Sequence, residues 1–330
     1  MSAVDQSAVS KGTRAASKTW TKLVDRGVAP AIVLVVMVVV ITLFSPSFLS
    51  LKSMTSVLDQ SAILLLLALG QGMVILLGRI DLANAALVSF SAVILAQILS
   101  SLGFVSLPMI LVLTTLIGAF QGFLHTFFQV PSFIITLGTL GVVSGGALLL
   151  SGASTVLVSE NKGLIEWLYD RPADLPAAFI TALVLGLLLM LAFSRTTWGR
   201  KVHAVGLNQT AASLSGIRSD RVVIAGFAVN GLFSGLATVF LVAQLGTASP
   251  NIANSYLLPG IAAVIVGGVS IAGGIGGPGR IILGALIIAL LRVGLDLLGV
   301  PDAFQPIFYG LITIFAIAVT VNRARMTTVT

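Results

Sequence analysis

The sequence predicts an all-α, polytopic membrane protein of about ten helices, and three observations lead there. Of 330 residues, 57% are hydrophobic and only 9% are charged, where a soluble domain carries about 25% charged residues. The apolar residues run in stretches of about twenty, the length that crosses a bilayer. The breaks between them fall at turn-forming clusters: Ser45-Pro46-Ser47, Ser106-Leu107-Pro108, Val130-Pro131-Ser132, Ser249-Pro250-Asn251 and Val300-Pro301-Asp302. The lack of Cys excludes disulfides, thiolate metal sites and cysteine redox chemistry. The net charge of +7 sits where membrane topology would put it, which argues against nucleic acid as a partner.

In chain order, residues 1–27 read as a flexible cytoplasmic tail carrying Lys11, Arg14, Lys18, Lys22 and Arg26. The apolar core from Pro30 to Phe44 runs into SPSFLS without a small-residue cleavage site, so the first span is expected to be retained. Helices are expected near 28–45, 60–77, 81–100, 106–125, 132–151, 176–194, 222–243, 257–271, 280–298 and 303–321, within a transmembrane domain of 28–322. Two joints leave the count open between eight and ten. The connection at 78–81 is short enough for its flanking spans to form one broken or re-entrant unit. The run GGVSIAGGIGGPG (Gly267–Gly279) is too rich in glycine for ordinary helix.

Charge tests the count. With the N-terminus inside, ten spans put the loop 195–221 and the tail 323–330, with Arg323 and Arg325, on the cytoplasmic side. The loop 152–175, with Glu160, Glu166, Asp170 and Asp174 against Lys162 and Arg171, falls on the periplasmic side. The basic clusters then share one face, as residues that resist translocation should. Spans two to five and seven to ten would run in opposite senses, which suits an inverted repeat, although no self-similarity in the residues supports one.

The loop Arg195–Arg221 is the long polar interruption of the C-terminal half. It holds Arg195, Arg200, Lys201, Arg218 and Arg221 against one acid, Asp220. Within it Asn208 can cap a helix of about two turns, and Gly216 can close that helix in a left-handed conformation. Ala211 and Ala212 lack bulk and would let another protein approach the backbone. The plain reading is a basic topogenic loop; the functional reading is a docking knob.

The run GRKVHAVGLNQTAASLSGI (199–217) resembles the cytoplasmic coupling segment of permease subunits of ribose/arabinose/xylose/galactose-type ABC importers. Four further stretches match that family in the same order: ILLGRIDLANAALVSFSA (75–92), VPSFIITLGTLGVVSGGALLLSG (130–152), PGIAAVIVGGVSIAGGIGGPGRIILGALI (259–287) and VGLDLLGV (293–300). The likeness covers nearly everything from Pro30 to Asn322. It implies a multi-pass permease in a bacterial inner membrane, paired with a second permease copy and docked on a separate cytoplasmic ABC ATPase. A periplasmic sugar-binding protein would deliver a ribose-type pentose or related monosaccharide. Gly206, Asn208, Ala211, Ala212, Leu214, Ser215, Gly216 and Ile217 would form the ATPase-coupling surface.

The Gly-rich run is no phosphate loop, because the G-x-x-x-x-G-K-[ST] pattern is missing. Its glycines allow a tight turn and close packing, and as a functional reading Gly273, Gly274, Gly276 and Gly277 form a cytoplasmic gate. Relatives usually read G-G-I-D-L-S-x-G where this chain reads Gly78-Arg79-Ile80-Asp81-Leu82-Ala83-Asn84-Ala85. Asp81 is expected to cap the third span or to act in transport. Arg292 and Asp296, four apart, can pair on one helix face, either at the outer interface or along the sugar path. Gln60, Gln71, Gln97, Gln121, Asn230 and Gln244 are uncharged polar groups in or near spans. Each can make a helix–helix hydrogen bond, and as a set they could line a wet path. His125 and His203 form no metal pair, and no catalytic constellation can be assembled. The chain is therefore expected to be a transport subunit with no catalytic residue, metal or cofactor of its own. The rival from another class is an ion-coupled secondary carrier, for which Asp81 or Asp296 would be the coupling acid.

Overall fold

The computed structural model describes residues 28–158 and 160–320, so the tails expected at 1–27 and 323–330 lie outside the described residues. The helices are α1 (Val28–Phe44), α2 (Leu51–Leu76), α3 (Asn84–Leu102), α4 (Ser106–Phe128), α5 (Ser132–Ser151), α6 (Gly163–Glu166), α7 (Ala177–Arg195), α8 (Thr197–Leu207), α9 (Gln209–Leu214), α10 (Ser219–Leu245), α11 (Leu257–Val266), α12 (Pro278–Leu297) and α13 (Gln305–Thr320). Among the described residues strand is almost absent: β1 (Val156–Leu157) pairs antiparallel with β2 (Thr247–Ala248). Each expected span has its helix. Among the described residues five helical stretches are long and apolar enough to cross a membrane: Leu51–Leu76, Asn84–Phe128, Ser132–Ser151, Ala177–Arg195 and Ser219–Leu245, the second containing both α3 and α4. Pro30–Phe44, Asn254–Val266 and Asp302–Ala316 are shorter apolar helices.

α2 is the axis of the bundle. Every residue from Ser61 to Leu76 is buried, as expected of a helix that is apolar all round. It packs against α10, α12, α7 and α11. The most extensive seam joins α4 to α10, and its cause lies in facing glycines. A Cβ on Gly118 would collide with the Phe227 carbonyl oxygen, and one on Gly231 with the Thr114 carbonyl oxygen. Gly122 and Gly235 are equally crowded, against Ile224 and Thr114. GAFQG (118–122) and GLFSG (231–235) thus mesh backbone to backbone, the small-xxx-small solution to helix packing where lipid supplies no hydrophobic drive.

Partners recur between the two halves. α2 lies on α12 as α10 lies on α4, α2 touches α11 as α10 touches α3, and α3 meets α5 as α11 meets α13. The connections gather at two poles. At one, the loop 152–175 is tied to neighbouring helices: Asn161 Nδ2 donates to the Leu99 and Ser100 carbonyls at 3.1 Å, Arg171 pairs with Asp59 at 2.8 Å, and β1 joins β2. Tyr169 there donates its hydroxyl to the Phe240 carbonyl at 3.2 Å. Burial, then the neighbouring Tyr256 and Asp59, push that hydroxyl well above the usual tyrosine range. At the opposite pole meet the α2–α3 connection, the end of α4, the loop containing α8 and α9, and the Gly-rich loop 267–277.

Candidate functional site: a capped knob joined to a buried polar junction

α9 is six residues long, too short to persist on local propensity alone, and both its ends are closed. Asn208 Oδ1 accepts from the Ala211 amide at 2.9 Å. At the other end the Gly216 amide donates to Ser213 O at 3.0 Å and the Ile217 amide to Ala212 O at 3.1 Å, with Gly216 at φ +83°. That is a Schellman closure, which only a residue at ease in the left-handed region completes cheaply. The expected cap and stop therefore both form.

The expected coupling residues divide between two faces. Asn208, Ala211, Leu214, Ser215 and Gly216 are exposed, Leu214 by 85%. Ala212 corrects the expectation of an open small-residue face: it is buried and packs into the main core, with Ile217 against the same cluster. Gly206 also faces inward, where a Cβ would strike Leu76 O and the Gly274 amide. These three seat the knob on the body, while the others form its outward surface. Beside the knob a cleft of about 510 Å³ is lined by Trp198, Lys201, Ser215, Gly216, Arg218 and Arg221 among others.

The body below the knob is drawn tightly together. The Gly274 amide donates to Leu76 O at 2.8 Å, and His203 Nδ1 lies 3.0 Å from Gly274 O. Gly273, at φ +87°, leaves a Cβ no room beside the Gly78 amide and Gly206 O. The Gly-rich loop, of which Gly273, Gly274, Gly276 and Gly277 all have positive φ, is thus wedged between the end of α2 and α8. Its glycines are required by close approach as well as by backbone sign.

The α2–α3 connection (77–83) turns from this pole into the bundle. Asp81 Oδ1 accepts from the Ala83 amide at 2.8 Å, and Asp81 Oδ2 from Asn230 Nδ2 at 2.6 Å. α3 starts at Asn84 with Ala83 as its N-cap, so Asp81 stands ahead of the helix rather than at its cap position. Asn84 Nδ2 donates to Asn230 Oδ1 at 2.5 Å and to Ser234 Oγ at 3.3 Å. Further along the same seam Ser91 and Thr238 share a 2.6 Å hydrogen bond. Asp81, Asn84, Asn230 and Ser234 are all buried. Asn230 lies eleven residues into α10, about 16 Å along its axis. The start of α3, a carboxylate and two amides are thus brought together inside the bundle, the kind of construction seen where transporters break their helices.

The remaining polar residues do not converge on this junction. Gln71 is buried and its side-chain amide has no hydrogen-bond partner among the described residues; Gln121 on α4 is the same, and Gln60 Oε1 is also unpartnered. Gln97 and Gln244 are exposed, Gln97 donating to Leu150 O at 2.6 Å. Arg292 and Asp296 form no ion pair among the described residues, contrary to expectation. The Arg292 guanidinium lies over the Tyr256 ring, 5.6 Å from its centre. Asp296 Oδ1 instead accepts from Gln305 Nε2 at 2.6 Å, because α13 brings an amide within reach. No group of three or more metal-ligating side chains occurs among the described residues.

Two functional groups escaped the sequence reading. Asn84 stands at the unspecified position of the relatives' G-G-I-D-L-S-x-G pattern, three residues after Asp81, and that spacing was the available signal. The facing glycine motifs were legible as two G-x-x-x-G runs in apolar stretches.

The chain matches a family model described as "Branched-chain amino acid transport system / permease component" over residues 53–317. It is 34% identical over 288 residues to the probable ABC transporter permease protein YphD of Escherichia coli (strain K12), covering 87% of this chain and 86% of that protein. It is 31% identical over 316 residues to the ribose import permease protein RbsC of Escherichia coli (strain K12), covering 93% and 96%. The fructose import permease protein FrcC of Rhizobium meliloti is 32% identical over 301 residues, covering 88% and 84%. No solved structure matches.

Proposed function

The chain belongs to the branched-chain amino acid transport system / permease component family, and from that membership we propose that it is the membrane subunit of an ATP-driven importer of a monosaccharide. The observation that carries this reading is the extent of the likeness: sugar-importer permeases align with 87% or more of the chain. The relatives are named for the import of ribose, galactose/methyl galactoside and fructose, which favours a sugar over the amino acids of the family's description.

In this reading all ten apolar helices span a bacterial inner membrane, with α9 on the cytoplasmic side and the loop 152–175 on the periplasmic side. The recurrent helix partners support an inverted repeat of α2–α5 with α10–α13. A separate ATPase takes the exposed face of α9 in a cleft, and the basic hollow beside it, with Lys201, Arg218 and Arg221, suits acidic groups of that partner. A periplasmic binding protein delivers sugar to the outer pole. Gly138, Gly141 and Gly145 of α5, whose missing Cβ atoms face open space, suit close packing against a second permease copy. ATP drives transport only by binding better to one of two states. Closure of the ATPase shifts α9, and the body switches the exposure of its central path.

Gln71 and Gln121 support a wet path, since a buried amide without a partner costs about 1–3 kcal/mol in dry surroundings. An ion-coupled carrier finds less support, because Asp81 is already engaged by Ala83 and Asn230. The test is reconstitution in proteoliposomes with the co-purifying ATPase and binding protein, using radiolabelled ribose, galactose and fructose in turn. Uptake of one sugar should require internal ATP and both partners. Uphill accumulation by the purified chain alone would overturn the reading.

A further inference from the structure

We propose that Arg79 is the positioning residue through which movement of α9 reaches the buried junction at Asp81. The proposal rests on the reading of α9 as the ATPase-coupling element and adds a route inward from it. Arg79 lies in the α2–α3 connection and directs its guanidinium along three fixed lines. Nη2 donates to Oε1 of Gln209, the first residue of α9. Nη1 donates to the Leu77 carbonyl, closing the connection on itself. Nε donates to Nε2 of His125 at 2.7 Å. Since that nitrogen accepts, the imidazole carries its proton on Nδ1, which donates to the Val130 carbonyl at 2.7 Å. One side chain therefore ties the knob to the end of α4 and to the turn before α5.

The backbone around Arg79 leaves little slack. Gly78 adopts φ +73°, with Ala272 O 3.1 Å from where a Cβ would sit, so it abuts the Gly-rich loop. The Ile80 amide donates to Ser132 Oγ at 3.3 Å. The next residue is Asp81, bonded to Asn230 inside the bundle. A displacement of Gln209 is thus passed through a rigid planar fork to a segment one residue from the buried carboxylate. Lys in place of Arg keeps the charge but offers one rotatable ammonium, and cannot hold three divergent acceptors at once. The hydrogen bonds to His125 and Gln209 join residues 46 and 130 positions away in the chain.

The experiment uses the reconstituted transporter with its ATPase and binding protein, and whichever of ribose, galactose or fructose the wild type carries. Arg79→Lys, Gln209→Ala and the double variant are compared with wild type. The readouts are sugar imported per ATP hydrolysed, ATPase co-purification and thermal midpoint. Each single variant should keep the ATPase bound and hydrolysing while sugar per ATP falls at least tenfold. The double variant should be no worse than the more severe single, because both cut one connection. A sugar-per-ATP ratio within twofold of wild type for Arg79→Lys, or defects that multiply in the double variant, refutes the proposal. If Arg79→Lys does not fold, Gln209→Ala decides alone, since Gln209 is only half-buried and an unchanged ratio there is equally fatal. Leu214→Ala in the same preparation separates the two ideas: unchanged ATPase binding there removes the coupling role of α9 itself.

Discussion

Leu214 gives the sharpest test of where force enters the molecule. α9 reads QTAASL, so Leu214 is its one bulky apolar side chain, and it is 85% exposed. If α9 enters a cleft of the ATPase, that side chain loses its water on assembly. Leu214→Ala removes three carbon atoms. At about 0.8 kcal/mol per buried methylene, contact with the cleft should lose about 2 kcal/mol, or about thirtyfold in Kd. Because the side chain touches little in the permease itself, the stability of the chain should move by no more than about 0.5 kcal/mol. Affinity and stability therefore separate cleanly. Leu149, also 85% exposed but near the far end of α5, is a matched control whose replacement by Ala should leave ATPase affinity alone. The assay is titration of purified ATPase onto nanodisc-embedded permease, with thermal midpoints measured in parallel. Binding by Leu214→Ala within threefold of wild type, with normal folding, means that α9 is not the docking element.

Four further outcomes follow from the same geometry. Asn208→Ala removes the acceptor for the Ala211 amide and should cost about 1 kcal/mol of α9 stability, read as faster amide exchange over 210–215; unchanged exchange would count against the cap. Ala212→Trp should lower the thermal midpoint of the permease with no ATPase present, since Ala212 is buried; an unchanged midpoint would return it to the outer surface. Gly231→Val drives a side chain into the Thr114 carbonyl and should cut folded yield severalfold, whereas Gly310→Val, where a Cβ meets open space, should not. Reporter tags at Glu166 should read periplasmic and at Ser213 cytoplasmic; the reverse pattern would invert the proposed orientation.

What could be seen in the residues alone was what depends on near neighbours. The Asn208 cap and the Gly216 stop are decided within nine residues, and both form as expected. The apolar stretches foretold an all-helical, polytopic chain because hydrophobic length is a local property. Facing directions were harder. Ala211 and Ala212 are adjacent and chemically identical, yet one is exposed and the other buried, since a helix turns about 100° per residue and only the body determines which side is inward. Arg292 and Asp296 were correctly spaced for a pair, but Tyr256 and Gln305 arrive from other elements and take both charges. Arg79 was visible only as an oddity, because two of its three acceptors lie 46 and 130 residues away.

The meshed glycines of α4 and α10 set a limit on how this carrier can flex. With four glycines of two helices interlocked, sliding either helix along the other would drive side chains into backbone, so the two behave as one beam. In the proposed cycle, a change in exposure of the path would therefore come from elements tilting beside that beam rather than from shear within it.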